Sequence, residues 1–212
     1  MYFRNMKIAF HTLGCKLNFS ETSFIANDLK NEEIEITNFS DKSDVYVINT
    51  CSVTENANKE CRQLIRKVKK ISPNSIITIM GCYAQLKPDE LKQIEGVNLV
   101  LGANEKFKLK EYLKKVTNKD SIINVKPIHK IKSFKQSFSE KQRTRTFLKI
   151  QDGCNYKCSF CTIPLARGKS RSDTIQNVKK QIKKLEIKGI KEIVLTGVNI
   201  GDFGINEKNE NF

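Results

Sequence analysis

The 212-residue sequence contains no tryptophan, four prolines, three methionines and only two histidines, His11 and His129. No apolar run approaches the ~18–20 residues needed to span a membrane, and long runs such as Ser75–Met80 have the length of a strand. The first residues, Met1–Lys7, show neither the apolar core nor the cleavage site of a secretory signal. We therefore expect a cytoplasmic protein without a membrane anchor.

Internal repeats and low-complexity tracts are also absent from the sequence. Hydrophobic residues make up 39% and charged residues 29%, which is typical of a soluble globular protein and not of a fibrous or disordered one. At ~100–200 residues per domain, this length allows one domain or two small ones.

Acidic residues are scarce in the second half of the chain. Residues 1–100 contain 13 Lys and Arg against 12 Asp and Glu, whereas residues 101–212 contain 25 against 11. Nearly all of the net charge of +15 therefore lies after residue 100. This asymmetry predicts a surface that faces a polyanion such as a nucleic acid.

Cysteine, by contrast, is plentiful, with seven residues. Structural disulfides are disfavoured in the reducing cytoplasm, so metal binding or thiol chemistry is the leading interpretation.

The first part of the chain alternates short β-rich runs with helical patterns, which predicts an α/β fold with a doubly wound, flavodoxin-like parallel sheet. The predicted strands are Lys7–Leu13, Ile34–Thr37, Val45–Asn49, Ser75–Met80 and Asn98–Leu101. The predicted helices are Ser20–Lys30, Glu55–Ile71, Pro88–Ile94 and Glu105–Val116. We assign residues 1–117 to this domain.

Residues 118–144 form a predicted basic linker, either docked on its neighbours or simply solvated. After it, a strand at Arg145–Gln151, a helix at Asp173–Lys188 and a strand at Glu192–Val198 predict one βαβ unit. We assign residues 145–212 to the start of a second domain.

Three cysteines lie close together in the loop after the strand at Arg145–Gln151: Cys154, Cys158 and Cys161, in a C-x3-C-x2-C pattern. Three thiolates at this spacing can hold one four-iron cluster and leave its fourth iron open. A zinc site, the alternative, would need a fourth ligand, and neither Cys nor His follows Cys161.

Three further cysteines each follow a predicted strand: Cys15, Cys51 and Cys82. Ligands bind at the carboxyl ends of strands in open α/β sheets, so these thiols are predicted to converge on a second cluster. Independent burial of each cysteine is the alternative. Cys61 lies within a predicted helix and is interpreted as structural.

The segments around these six cysteines resemble the radical S-adenosylmethionine (SAM) methylthiotransferases over about residues 7–204. Three of them surround the strand-end cysteines: Thr12–Asn18 (TLGCKLN), Asn49–Thr54 (NTCSVT) and Gly81–Gln85 (GCYAQ). The others are Gln151–Cys154 (QDGC), the aromatic Phe160 before the third loop cysteine, and Pro164–Gly168 (PLARG) with Arg171-Ser172.

The resemblance implies two [4Fe–4S] clusters, one for each cysteine set, and SAM bound to the open iron of the loop cluster. Electron transfer into SAM would release a 5′-deoxyadenosyl radical, and the other cluster would hold the sulfur to be donated. It implies no catalytic residue other than the cluster ligands. The implied SAM contacts are Phe160, Arg171, Gly197 and Asn199.

Other interpretations of these contact residues stay open. Phe160 could pack in a core, and Gly197 could simply permit a turn. Arg167 and Arg171 could contact the SAM carboxylate or a tRNA phosphate, or belong to a solvated basic loop.

The cysteine segments are most similar to the family branch that methylthiolates C2 of N6-threonylcarbamoyladenosine at position 37 of tRNA. The expected partners are the tRNA anticodon loop and a reductant such as flavodoxin or ferredoxin, with the enzyme a monomer. The alternatives are a methylthiotransferase acting on isopentenyladenosine in tRNA or on a ribosomal-protein aspartate, and a metal-stapled nucleic-acid-binding module without catalysis.

Members of this family continue beyond the length of this sequence. Only about 68 residues follow Arg145, whereas a complete eight-unit barrel typically takes ~250 residues. We therefore expect a truncated chain that is inactive alone, with an incomplete radical-SAM domain.

Overall fold

A computed structural model describes residues 5–30, 34–51, 55–139 and 145–205. Its first part contains six strands: β1 (Met6–Thr12), β2 (Ile34–Thr37), β3 (Val45–Thr50), β4 (Ile76–Gly81), β5 (Val97–Leu101) and β6 (Ile122–Asn124). They form one parallel sheet in the order β2-β1-β3-β4-β5-β6. The predicted α/β class with a flavodoxin-like sheet is confirmed.

Helices cover the faces of this sheet: α1 (Lys16–Lys30), α2 (Glu55–Ile71), α3 (Cys82–Leu86), α4 (Pro88–Lys92) and α5 (Leu109–Leu113). The central strand β3 is buried along its whole length, because apolar cores lie on both faces of the sheet. Ile65 and Val68 of α2 enter one core, and Ile25 and Leu29 of α1 enter the other. No helix among the described residues is long and apolar enough to cross a membrane.

Several element boundaries differ from the prediction. Helix α1 begins at Lys16, four residues before Ser20, and α3 was not predicted. The predicted helix Glu105–Val116 is a 3-10 turn, Glu105–Lys108, followed by the short α5. The difference at α3 has a local cause, since Gly81 adopts φ +101° and turns the chain directly from β4 into this helix.

The segment predicted as a linker contributes one strand to the six-stranded sheet and one strand to a three-stranded sheet in the second part of the chain. Strand β6 pairs with β5 as the sixth strand of the first sheet, and β7 (Ser137–Phe138) pairs antiparallel with β8 (Thr146–Lys149). Of the two alternatives for the linker, the docked one therefore holds for these two stretches and the simply solvated one is wrong for them. Residues 140–144 of the predicted linker lie outside the described residues.

The second part of the chain is a smaller α/β unit. Strand β8 lies between β7 and β11 (Ile193–Thr196), and β8 and β11 are parallel, as the predicted βαβ unit requires. The crossover contains α6 (Ile163–Arg167) and α7 (Ile175–Ile187), together with β9 (Gln151–Asp152) and β10 (Arg171–Ser172), which pair with each other. The buried core of this unit is small: Leu148, Ile150, Val178 and Phe203.

Candidate functional site

The three strand-end cysteines lie at one edge of the first sheet. Cys15 follows β1, Cys51 follows β3 and Cys82 directly follows β4, and these three strands are neighbours in the sheet. A Cβ added at Gly14 would lie 2.6 Å from the Cβ of Cys51 and 3.0 Å from its sulfur. The backbone before Cys15 therefore approaches Cys51 closely, and glycine is required there both for space and for its φ of +101°.

The Asn18 side chain ties two of these strand ends together. Its nitrogen donates hydrogen bonds to the backbone oxygens of Leu13 and Thr50, both at 2.9 Å. Its oxygen accepts a hydrogen bond of 2.5 Å from the guanidinium of Arg167. Asn18 thus connects the segments that lead to Cys15 and Cys51 with a residue from the second part of the chain.

Arg167 belongs to a buried network of charged groups centred on Glu21. The Glu21 side chain is 0% exposed and accepts hydrogen bonds from Lys106 at 2.5 Å, Lys149 at 2.9 Å and Arg167 at 3.2 Å. Burial alone would raise the pKa of Glu21, but Arg167, Lys106 and Lys149 outweigh that effect and hold the pKa well below its usual value. Glu21 is therefore a permanent anion in the folded chain.

Asp152 is the second carboxylate of the network. It pairs with Arg167 at 2.9 Å, with Arg171 at 3.2 Å and with Lys149 at 3.4 Å. Its pKa is lowered, because Arg167 and Lys149 overcome the opposing effect of burial. The pKa of Arg167 is raised well above its usual value: burial opposes this shift, but the surrounding acidic groups, Glu21 foremost, favour its charge.

Four cations share two carboxylates in this network: Lys106, Lys149, Arg167 and Arg171 against Glu21 and Asp152. The pKa of Lys106 is lowered although this side chain contacts Glu21. Burial is the main cause, and the neighbouring cations Arg167 and Lys149 add to it. The network therefore holds an unbalanced positive charge in the protein interior.

This positive charge acts on the strand-end thiols. Cys82 is 5% exposed, and burial raises the pKa of its thiol, while Arg167 and Lys106 oppose that shift. Helix α3, which begins at Cys82, packs against α6, which ends at Arg167. The charged network and the strand-end cysteines are therefore neighbours.

The loop cysteines are held by backbone hydrogen bonds around Gly153. The N–H of Cys154 donates to the backbone oxygen of Gly168 at 3.0 Å, and the N–H of Cys161 donates to that of Cys158 at 3.1 Å. Gly153 has a φ of +73°, and a Cβ added there would lie only 2.2 Å from the backbone oxygen of Lys169. The three thiols are exposed or half-buried, so this loop presents them at the surface.

Neither set of three cysteines has the ligand arrangement of a single bound metal ion. Among the described residues, no three His, Cys, Asp or Glu side chains lie close enough to bind a single metal ion. A [4Fe–4S] cluster requires its cysteine ligands to lie farther apart than the ligands of a single ion, since each cysteine binds a different iron. All seven cysteines are free thiols, and each set of three supplies only sulfur. Three thiolates can bind three irons of such a cluster, whereas a closed structural zinc site needs four ligands, so each set fits an iron–sulfur cluster better than a zinc site.

The residues predicted to contact SAM lie in or around the loop of Cys154, Cys158 and Cys161, and they differ in burial and in hydrogen-bond partners. Phe160 is 89% exposed, so the alternative that it packs in a core is wrong. Arg171 is buried and bonded to Asp152, so the alternative of a solvated basic loop is wrong for this residue and for Arg167. The buried Nε of Arg171 has no hydrogen-bond partner among the described residues.

Gly197 and Asn199 follow β11 and both approach Gln151. A Cβ added at Gly197 would lie 2.8 Å from the side-chain oxygen of Gln151, which accepts a 2.9 Å hydrogen bond from the N–H of Asn199. The Gln151 side chain also donates to the backbone oxygen of Gly153 at 2.7 Å. The end of β11 is thus attached to the start of the cysteine loop.

A cavity of about 430 Å³ opens beside Cys15. Aromatic side chains form much of its wall: Phe10, His11, Phe19, Phe39 and Phe147. Burial lowers the pKa of His11, which therefore faces the cavity as a neutral ring 4.9 Å from the ring of Phe39. The volume lies in the range of small-molecule sites, and flat aromatic surfaces of this kind suit a nucleobase.

Glu21, Lys106 and Lys149 are site residues that the sequence motifs do not identify. One signal was available for Glu21, which lies four residues from Leu17 and from Ile25 on the buried side of α1. A carboxylate at that position needs a buried cation. Its partners are 85 to 146 residues away in the sequence, and only the fold identifies them.

Known proteins share both parts of this arrangement. The uncharacterized protein family UPF0004 matches residues 7–102, and the radical SAM superfamily matches residues 148–204. The threonylcarbamoyladenosine tRNA methylthiotransferase MtaB of Bacillus subtilis is 42% identical over 97% of this chain and 46% of its own length.

Two further relatives show the same pattern. The protein of the same name from Aquifex aeolicus is 39% identical over 94% of this chain and 49% of its own length. The tRNA-2-methylthio-N(6)-dimethylallyladenosine synthase of Clostridium novyi is 33% identical over 94% of this chain and 46% of its own length. The chain thus spans about half the length of the curated relatives it matches.

Proposed function

We propose, on the premise that this chain belongs to the radical-SAM methylthiotransferase family, that it acts in tRNA methylthiolation. The proposed reaction replaces the C2 hydrogen of N6-threonylcarbamoyladenosine at position 37 with a methylthio group. Relatives named for threonylcarbamoyladenosine are 34–42% identical to the chain, against 31–33% for relatives named for dimethylallyladenosine. This difference in identity supports the substrate assignment.

One observation carries the proposal, namely the placement of two sets of three cysteines on either side of one buried network. Asp152, two residues before Cys154, is paired with Arg167, and Arg167 is bonded to Asn18 between the strand ends of Cys15 and Cys51. A reaction that needs two iron–sulfur clusters close to one substrate requires such a connection.

We assign one [4Fe–4S] cluster to Cys15, Cys51 and Cys82 and another to Cys154, Cys158 and Cys161. When bound, the loop cluster with SAM supplies the radical chemistry that an unactivated aromatic carbon requires. The protein's own side chains position and shield these groups. We assign SAM contacts to Phe160, Arg171, Gly197 and Asn199, with the free Nε of Arg171 as a donor to an anionic group.

The tRNA would be recognised by charge and by the cavity beside Cys15. Exposed lysines of α7 provide a cationic surface for phosphates: Lys179, Lys180, Lys183 and Lys184. Position 37 lies in the single-stranded anticodon loop, so its base can leave the stack at little cost and enter an aromatic cavity. We further propose a monomeric cytoplasmic enzyme that receives electrons from a flavodoxin or ferredoxin, with a first domain extended from residue 117 to include β6 and a second domain extended before residue 145 to include β7.

Anaerobic reconstitution of the chain with iron and sulfide tests the cluster assignment. Roughly eight irons and eight sulfides per chain are expected, and roughly four after replacing either cysteine set by alanine. A colourless protein that binds one or two zinc ions would contradict the proposal and favour a metal-stapled binding module. Cys61→Ala is the matched control and should leave the iron content unchanged.

The substrate is tested by deleting the gene and analysing the nucleosides of total tRNA by mass spectrometry. Loss of the methylthio form of threonylcarbamoyladenosine is expected, with restoration by the intact gene. Retention of that nucleoside with loss of the methylthio form of isopentenyladenosine would assign the protein to the sister branch. Loss of neither, with an unmodified ribosomal-protein aspartate, would indicate the third substrate.

A further inference from the structure

Within the part of the chain that the structure describes, the carboxylates in contact with the buried network balance only half of its positive charge. Glu21 and Asp152 carry two negative charges, whereas the four cations carry four positive charges, and all six side chains are at most one-tenth exposed. An uncompensated cation in a low-dielectric interior is costly unless a further anion lies nearby.

The arrangement of Arg167 indicates where such an anion would lie. One side of its guanidinium contacts the two carboxylates, and Nη2 also donates to Asn18, which holds the backbone just before Gly14 and just before Cys51. The helix that Arg167 ends packs on the helix that Cys82 begins. The excess charge is therefore directed at the ends of three strands that carry cysteines.

We propose that Arg167 is a positioning residue for the cluster at Cys15, Cys51 and Cys82, and that its buried charge raises the reduction potential of that cluster. This inference rests on the proposed function, which supplies the cluster. Three thiolates around a [4Fe–4S]²⁺ core give a formal charge of −1, and one-electron reduction of the core makes it −2. A nearby buried cation stabilises the more negative state, so the electron is accepted at a higher potential.

A consequence is that the second part of the chain sets the electronic properties of a cluster held by the first. Arg167 lies at the end of α6, and it also pairs with Asp152 beside the loop cysteines. A change at that loop that moves Asp152 would therefore alter the surroundings of the strand-end cluster through the guanidinium group of Arg167.

The experiment uses the full chain with Cys154, Cys158 and Cys161 replaced by alanine, so that only the strand-end cluster is reconstituted. Its midpoint potential is measured anaerobically by titration with dithionite, followed by electron paramagnetic resonance. Arg167→Gln should shift the potential to more negative values, and Arg167→Lys, which keeps the charge, should leave it close to the potential measured with Arg167 present. Glu21→Gln removes a negative charge and should shift the potential in the positive direction.

Arg145→Gln is the matched control, because Arg145 is 62% exposed and pairs with Glu192 at the surface. It removes the same charge as Arg167→Gln and should leave the potential unchanged, since solvent screens it. Iron content and circular dichroism are measured for every variant.

Shifts of opposite sign for Arg167→Gln and Glu21→Gln would support the inference, because a purely structural role would not reverse sign with charge. An unchanged potential in both, or shifts in the same direction, would overturn it while leaving the proposed function intact. If Arg167→Gln does not fold, the sign of the Glu21→Gln shift decides. Failure of the three-alanine chain to bind iron, with its fold retained, would overturn both the proposed strand-end cluster and this inference.

Discussion

The two sets of three cysteines are placed in the fold by different means. Cys15, Cys51 and Cys82 are spread over 68 residues of sequence, and the order of strands β1, β3 and β4 brings them together. Cys154 and Cys161 bound an eight-residue segment, and a few local hydrogen bonds hold their loop. The first set depends on a complete parallel sheet, whereas the second depends mainly on its immediate surroundings.

The supporting structures differ in the same way. The first sheet has an apolar core on each face, while the second unit buries four residues in one small core. The buried charged network joins them, together with the packing of β7 and β8 on α1 and of α6 on α3, so damage to one region is expected to reach the other through this interface. Substitutions expected to affect one region, both regions or neither region therefore test this difference in support.

The largest effect is expected from Arg167→Met, which removes the side chain that both regions share. Glu21 and Asp152 would lose one of the two cations that they share, with Lys149 the other, and breaking a buried ion pair typically costs ~3–5 kcal/mol of unfolding free energy. Arg145→Met removes an exposed partner of Glu192 and should cost under ~1 kcal/mol. Urea denaturation of both variants makes the measurement, and equal losses would show that the network does not join the regions.

Gly153→Ala should damage the loop set alone. Its φ of +73° disfavours a side chain by ~1–2 kcal/mol, and the 2.2 Å approach to the Lys169 oxygen adds an overpacking cost of ~1–3 kcal/mol. Gly189→Ala is the matched control, since Gly189 has a φ of +80° but no atom within 4 Å of an added Cβ. We expect reconstituted Gly153→Ala to lose the iron of the loop set and keep that of the strand-end set.

The reciprocal change is Gly14→Ala, where an added Cβ would meet Cys51. It should remove the iron of the strand-end set and leave the loop set loaded. Loss of both clusters in either glycine variant would contradict the idea that the two sites are supported separately.

Acid should weaken the connection between the regions before it affects their cores. The pKa values of Glu21 and Asp152 are lowered in the folded chain, so the unfolded chain binds protons first as the pH falls. Their stabilising contribution is complete above about pH 4.3, and each carboxyl loses about 1.4 kcal/mol per pH unit below its unfolded pKa.

Unfolding free energies measured between pH 6 and pH 3 test this expectation. The variant Glu21→Gln should show a shallower dependence on pH than the natural chain. An identical slope in the two proteins would show that Glu21 is not a charged member of the network.

The same contrast explains which features the sequence predicts. The loop set is visible as a motif, because its ligands are neighbours in the chain, and the strand-end set follows from the rule that parallel strands share an edge. The segment Ile122–Asn124 looked like a linker, since a three-residue edge strand has little pattern of its own. The pairing of Glu21 with Lys149 spans 128 residues and depends on how the second unit packs against α1, which no local pattern encodes.

The smallest effect is expected at Cys61, the cysteine that belongs to neither set. It is fully buried in α2 beside Ile65, and burial raises the pKa of its thiol to about 12. At pH 8 only about one thiol in 10,000 would then be ionised, so iodoacetamide should not label it in the folded chain. The exposed Cys158 should react readily and serves as the internal comparison.

Cys61→Ala should therefore cost only about 1 kcal/mol, the cost of a small cavity, and leave the iron content of both sets unchanged. Labelling of Cys61 as fast as Cys158 would mean that α2 opens readily from the first sheet. In that case the first sheet would not hold Cys51, which lies just before α2, in a rigid position. The strand-end set would then depend mainly on its immediate surroundings, as the loop set does.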